Sequence, residues 1–170
     1  MHPKVKASLD RLLAMTDGSL GDYKDAITDE LCALTGSPLS YIAALDLNEQ
    51  TLTMVGWSKG AMASCQATDR PIVYPLEETG LWGDAVRERK AVITNDYQNL
   101  NKPTKKGYPK GHVHVSRHMN LPVFEDGYAV LVVGVGNKAS DYTQEDARLL
   151  EELMVEVWKF FKEVLWQATW

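Results

Sequence analysis

Cysteine is scarce in this chain: the 170 residues hold two, Cys32 and Cys65. They form no CxxC pair and no framework of the kind that staples small secreted domains. Cys32 reads as a small apolar residue on a helix and Cys65 as a loop thiol, which fits a reducing, cytoplasmic setting. Long apolar runs are missing too. None reaches the ~20 residues a bilayer span requires, and the opening Met-His-Pro-Lys has no apolar signal core. No membrane segment is therefore expected in this chain; the membrane part of any receptor would lie outside it. Positive charge is in short supply, with 18 basic against 23 acidic side chains and a formal net charge of -5. That balance excludes a broad grip on nucleic acid, which needs many phosphate-neutralising cations. It leaves room for an anionic small ligand in a locally basic pocket. There is no nucleophile elbow, P-loop, dinucleotide fingerprint or zinc-protease motif, so no catalytic residue is assigned and an enzyme is not expected.

What is present is an ordinary globular composition, 45% hydrophobic and 24% charged. The length suits one domain over 1–170 with a full core. Val5, Leu9, Leu12 and Leu13 predict a helix within 1–18. A second helix follows, capped by Ser19 or Asp22, with Tyr23, Ile27, Leu31 and Leu34 on one face. Gly36 stops it and Pro38 blocks continuation. The period then becomes extended. Ser40 to Leu47 and Thr51 to Trp57 predict a hairpin, with Leu52 and Met54 sharing a face. Ser58 to Asp69 reads as loop, and Pro71 to Leu76 as a short edge strand because of its prolines.

A short helix is expected from Thr79 to Lys90, capped by Thr79, then a brief strand from Ala91 to Thr94. Asn95 to Gly111 is a long polar connection, of the kind that is usually functional or mobile. His118 to Phe124 alternates, with a bulge or a locally unpaired position expected at Pro122. Asp126-Gly127 is a turn signal. Tyr128 to Val135 is nearly all apolar, so it should be a central buried strand. The last helix, 143–170, opens on the capping-box spacing Thr143 to Asp146. Ala147, Leu150, Met154, Val157, Phe161 and Val164 form a heptad seam, with Leu149, Leu153 and Phe160 as a second stripe beside it; one stripe is expected to pack on the sheet and the other to meet a partner helix. The order of elements gives an α+β domain. Its antiparallel sheet carries the terminal helices on one face and a pocket on the other.

Several segments resemble a known family. Glu78 to Tyr97 resembles the centre of a GAF domain, a short helix and a strand ending in Asn-Asp-Tyr. Lys106 to Phe124, Gly134 to Lys138 and Asp141 to Asp146 resemble the elements that follow, in the subgroup found in bacterial sensor kinases and related signalling proteins. The resemblance runs from about Leu20 to the C-terminus. Cyclic-nucleotide-binding members carry Asn-Lys, then Phe, three residues, Asp and Glu. Asn137, Lys138 and Asp146 match that signature, Tyr142 replaces Phe, and Ala147 stands where Glu is expected. The resemblance gives Lys138 and Asp146 a bracing role between strand end and helix start. No cysteine lies between Thr79 and Phe124 for covalent attachment of a bilin pigment.

These readings together predict a regulatory domain of a bacterial signal-transduction protein, as in a two-component system. An unidentified small molecule would bind Trp82, Asp96, Tyr97, His112, Arg117 and His118. Arg117 is the candidate clamp for a carboxylate or phosphate, with a salt bridge to Asp96 or another acid as the alternative. His112, His114 and His118 invite a metal or haem reading. No carboxylate or thiolate in the stretch completes a ligand set, so no metal site and no cofactor is assigned. The terminal helices are expected to pair with a second copy, and an output domain such as a kinase or cyclase would receive the signal. The alternatives are a ligand-free dimerisation module and an enzyme like the free methionine sulfoxide reductases of this fold, whose cysteine cluster neither Cys32 nor Cys65 matches.

Overall fold

Two capping boxes set where the long helices begin. Ser19 Oγ accepts from the Asp22 amide at 3.1 Å, and Asp22 returns the bond to the Ser19 amide at 2.9 Å. Thr143 and Asp146 repeat the device, at 3.2 and 2.9 Å. Each box satisfies orphan amides of the first turn. The computed structural model describes residues 1–60, 73–107 and 114–169. Its helices are α1 (Pro3–Leu13), α2 (Leu20–Thr35), α3 (Asp84–Glu88) and α4 (Gln144–Thr169). Its strands are β1 (Leu39–Leu45), β2 (Thr51–Trp57), β3 (Val73–Pro75), β4 (Val92–Thr94), β5 (His118–Glu125) and β6 (Tyr128–Gly136). Gly36 ends α2 at φ 72°, the left-handed stop its lack of a Cβ allows.

The strands form one antiparallel sheet in the order β3-β2-β1-β6-β5-β4. β6 lies inside it, as its apolar run requires, and β3 is at an edge. Asp126 and Gly127, both at positive φ, make the tight β5–β6 turn. One face of the sheet offers Ile42, Met119, Leu121, Val123, Leu131, Val133 and Val135. Helices α1, α2 and α4 cover it with Val5, Ile27, Leu31, Leu150, Met154, Val157 and Phe161. The other face offers Ala43, Leu52, Ala129 and Val132 to Ala85 and Val86 of α3.

Three expectations are corrected. In place of a single helix over 79–90 stand a 3-10 turn, Leu81–Gly83, and the five-residue α3, with another 3-10 turn, Leu76–Glu78, just before them. Thr79 does not cap the start of α3 but closes the first 3-10 turn; its hydroxyl donates back to the Leu76 carbonyl at 2.6 Å, and Gly83 packs where a Cβ would stand 1.9 Å from that hydroxyl oxygen. Pro122 sits in register with Val132 of β6 and is locally unpaired toward β4, one of the two arrangements expected, while the irregularity falls one residue on, between Val123 and Phe124. β4 pairs no further than Asn120, so the ladder on that side asks no amide of Pro122. The second stripe of α4 is filled from within the chain: Leu149 and Leu153 are buried in the helix-side core, and Phe160 meets the Tyr23 ring at 6.2 Å.

Tyr142 ties four elements together. Its hydroxyl bonds Ser37 at 2.6 Å, just after α2, and accepts from the Lys138 amide at 3.2 Å, just after β6. Its own amide donates to Asn95 Oδ1 at 2.7 Å, and its carbonyl accepts from Asn95 Nδ2 at 3.0 Å, just after β4. Lys138 Nζ reaches Asp146 in the first turn of α4 at 2.8 Å, as the bracing role requires. Tyr142→Phe leaves the Ser37 hydroxyl and the Lys138 amide short of a partner while keeping the ring. It should lower unfolding stability by about 1–3 kcal/mol, measured by urea denaturation.

Candidate functional site

On the α3 side of the sheet the residue missing from β6 matters most. Tyr41 of β1 and Asn120 of β5 both stand opposite Gly134. With no side chain between them, the Tyr41 ring lies across β6 and its hydroxyl reaches Asn120 Oδ1 at 2.5 Å. A Cβ on Gly134 would stand 2.1 Å from a Tyr41 ring carbon and 2.7 Å from Asn120 Oδ1. Asn120 Nδ2 in turn meets His118 Nδ1 at 2.9 Å. A chain of three polar side chains thus runs across β1, β6 and β5 on a face otherwise lined by apolar groups. Trp82, from the second 3-10 turn, stands edge-on to Tyr41 at 5.7 Å and to Tyr74 at 5.2 Å.

The environment is dry. Burial pushes the Tyr41 hydroxyl well above the usual phenol range. Burial also lowers the His118 imidazole to about 4, with the Asp84 carboxylate pulling weakly the other way. Yet Tyr41, Trp82 and His118 remain half-buried by surface. Groups this desolvated that still keep surface mark where a ligand recess would lie.

The cover over this face is pinned by charge. Asp84, 2% exposed, opens α3. It accepts from Arg87 Nε at 2.9 Å and Thr104 Oγ1 at 2.7 Å, and pairs with Lys102 Nζ at 2.8 Å. Burial alone would raise its carboxyl; bonds from Lys102, Thr104 and Arg87 outweigh that and hold it below the usual carboxylate range. Lys105 Nζ donates to the Tyr97 and Leu100 carbonyls at 2.6 and 3.2 Å and sits 4.5 Å above the Tyr97 ring. The described part of the long connection, 95–107, is therefore strapped to α3.

Of the six residues singled out from the sequence, the structure brings together Trp82, Tyr97 and His118. The buried Tyr97 ring packs edge-on to His118 at 5.8 Å. Asp96 is exposed and shapes the turn, accepting from Asn99 Nδ2 at 2.9 Å. Arg117 points the other way from His118, as alternation along an extended segment dictates. Its Nη1 donates to the Lys138 carbonyl at 2.7 Å and its Nε lies 3.7 Å from Asp141, not Asp96. His112 and Cys65 lie outside the described residues. His114 is exposed, and among the described residues no cluster suited to a metal occurs. Tyr41, Asn120, Gly134 and Asp84 were not singled out. Asn120 and Gly134 carried a signal, each a break in an apolar run; Tyr41 and Asp84 carried none.

His118 couples stability to pH. The unfolded imidazole titrates near ~6.5 and the folded one near 4. Between those values the unfolded state binds the extra proton, so stability is fully present above the higher value and falls as pH drops through the window. The loss should approach ~3 kcal/mol at its acid end. Denaturant midpoints from pH 7.5 to 4.5 should show this slope, and His118→Asn should flatten it.

Comparison with known proteins agrees with this architecture. A GAF domain family model matches residues 19–161. A protein of Methanosarcina acetivorans named methyl sulfide methyltransferase-associated sensor is 47% identical over 155 residues, which cover 91% of this chain and 15% of that protein. The GAF domain of a phosphoenolpyruvate-protein phosphotransferase from Coxiella burnetii superposes with a TM-score of 0.76 at 11% identity, covering 98% of this chain and 95% of that one. Free methionine-R-sulfoxide reductase from Neisseria meningitidis does so at 0.69 and 17%, covering 97% and 89%. The likenesses to solved structures speak for the fold, and the family match, over most of the length, makes this chain a member of the GAF domain family.

Proposed function

We propose that the domain is a regulatory sensor whose small-molecule ligand occupies the recess between the sheet and the strap formed by α3 and 95–107. The observation that carries this reading is the His118–Asn120–Tyr41 chain. Polar groups are costly to bury, and these sit on the face away from the main core, beside aromatic walls, with Asn120 buried and Tyr41 and His118 half-buried. A few convergent polar groups in an apolar setting are what a ligand site uses for orientation. The similar Methanosarcina protein bears a sensor's name, which favours regulation over catalysis.

Relay would run along β6. Gly134 at the recess floor is four residues from Lys138, whose ion pair with Asp146 holds the start of α4. A ligand that prefers one placement of this strand end biases α4 accordingly. The whole protein would be a cytoplasmic signalling protein, of two-component or related type, with α4 leading to a kinase or cyclase. No described helix is long and apolar enough to cross a membrane. Among the described residues of α4, Val155 and Trp166, the latter 65% exposed, are exposed large apolar side chains that a second copy would meet. A reductase would need a thiolate in the recess. Cys32 is on the helix side of the sheet, bonded to Ser40, and burial raises its thiol above the usual range.

A thermal-shift panel of nucleotides, organic acids, divalent metals and methyl sulfides tests the reading. A true ligand at a hundred times its Kd should stabilise the fold by about 2.7 kcal/mol, and Trp82→Ala should weaken it. A panel in which nothing stabilises the protein would count against the sensor reading, and a strict monomer by light scattering would remove pairing of the terminal helices.

A further inference from the structure

The chain from Tyr41 to His118 has a direction, and its far end sets it. Among the described residues, the Tyr41 hydroxyl has one hydrogen-bond partner, Asn120 Oδ1. Burial keeps that hydroxyl protonated, so it donates there or leaves a buried donor unpaired. With Oδ1 accepting from Tyr41, the NH2 half of the Asn120 amide is the half that meets His118 Nδ1. An amide NH2 only donates, so Nδ1 must offer its lone pair. A neutral imidazole then carries its proton on Nε2. The reversed chain, with Asn120 turned around and Nδ1 protonated, would strand the Tyr41 proton.

We propose that Tyr41, acting through Asn120, fixes His118 as the Nε2–H tautomer and makes it a hydrogen-bond donor to the ligand, which must bring an acceptor: a carbonyl, a carboxylate or a ring nitrogen. This rests on the recess being a ligand site, but the tautomer is a property of the free chain. The asymmetry also bears on selectivity. A metal ion needs the Nε2 lone pair, which this tautomer does not offer; to bind there it must turn Asn120 over and leave the Tyr41 hydroxyl without its acceptor. Tyr41 is thus a positioning residue that discriminates acceptor-bearing molecules from metal ions at a ring two strands away.

Long-range proton–nitrogen NMR on the uniformly 15N-labelled, ligand-free chain reads both ring nitrogens of each histidine, with His118→Asn giving the assignment. A single His118 form with the proton on Nε2 is expected. Tyr41→Phe keeps the ring but removes the donor, so the Nδ1–H population should rise roughly tenfold. Cobalt(II) chloride, as sole probe, should broaden the His118 signals of Tyr41→Phe at lower concentration than those of the parent chain. A parent His118 protonated on Nδ1, or averaged between the two forms, overturns the proposal, as does equal sensitivity to cobalt. Should Tyr41→Phe fail to fold, the parent spectrum decides alone. An Nε2–H ring in a chain that binds nothing in the thermal-shift panel would sink the sensor reading and leave the tautomer standing; a binder acting on an Nδ1–H ring would do the reverse.

Discussion

β6 is buried on both faces, and that constraint organises the molecule. Leu131, Val133 and Val135 need an apolar cover on one side, Ala129 and Val132 on the other. A strand of this kind cannot sit in a sheet with one wet face. The helix-side cover is large and regular, three helices laid on seven strand positions. Among the described residues the opposite cover is a five-residue helix, two 3-10 turns and the connection 95–107. Beneath it gather Tyr41, Trp82 and His118.

Because that cover buries little apolar area, it is held by charge. One carboxylate, Asp84, collects Arg87 from its own helix and Lys102 and Thr104 from the long connection. Removing such a partner from a buried charge costs more than the pair contributes by itself, so Asp84 both fastens the strap and makes it intolerant of loss. The same dry setting depresses His118 and keeps Tyr41 protonated. Strap and polar chain are two results of one low-dielectric environment.

Most of the framework was legible in the sequence because it follows from short-range rules. Ser19 with Asp22, Thr143 with Asp146, Gly36 and Asp126-Gly127 each declare a boundary through local chemistry. The apolar run at Tyr128 to Val135 announced a strand covered on both sides. The site was less legible, since its bonds join residues far apart in the chain. Tyr41 and Asn120 meet only because β1 and β5 flank β6 and Gly134 leaves the space, and no window of sequence contains all three. For Arg117 the sequence leaves clamp and salt bridge both open; one step from His118 reverses the side, and the guanidinium lies 3.7 Å from Asp141. The stripe of Leu149, Leu153 and Phe160 looked free for a partner because periodicity does not say which helix fills it.

Alternation along these strands has an evolutionary reading. Positions 42, 119, 121, 131, 133 and 135 hold the main core, while 41, 118, 120 and 134 furnish the recess. The two sets interleave but do not share a side chain, so chemical preference in the recess can drift from lineage to lineage while the scaffold beneath keeps its stability. That separation fits a backbone recurring at a TM-score of 0.76 with 11% of residues in common: the fold asks for greasy residues at every second site of these strands and leaves the intervening ones room to vary.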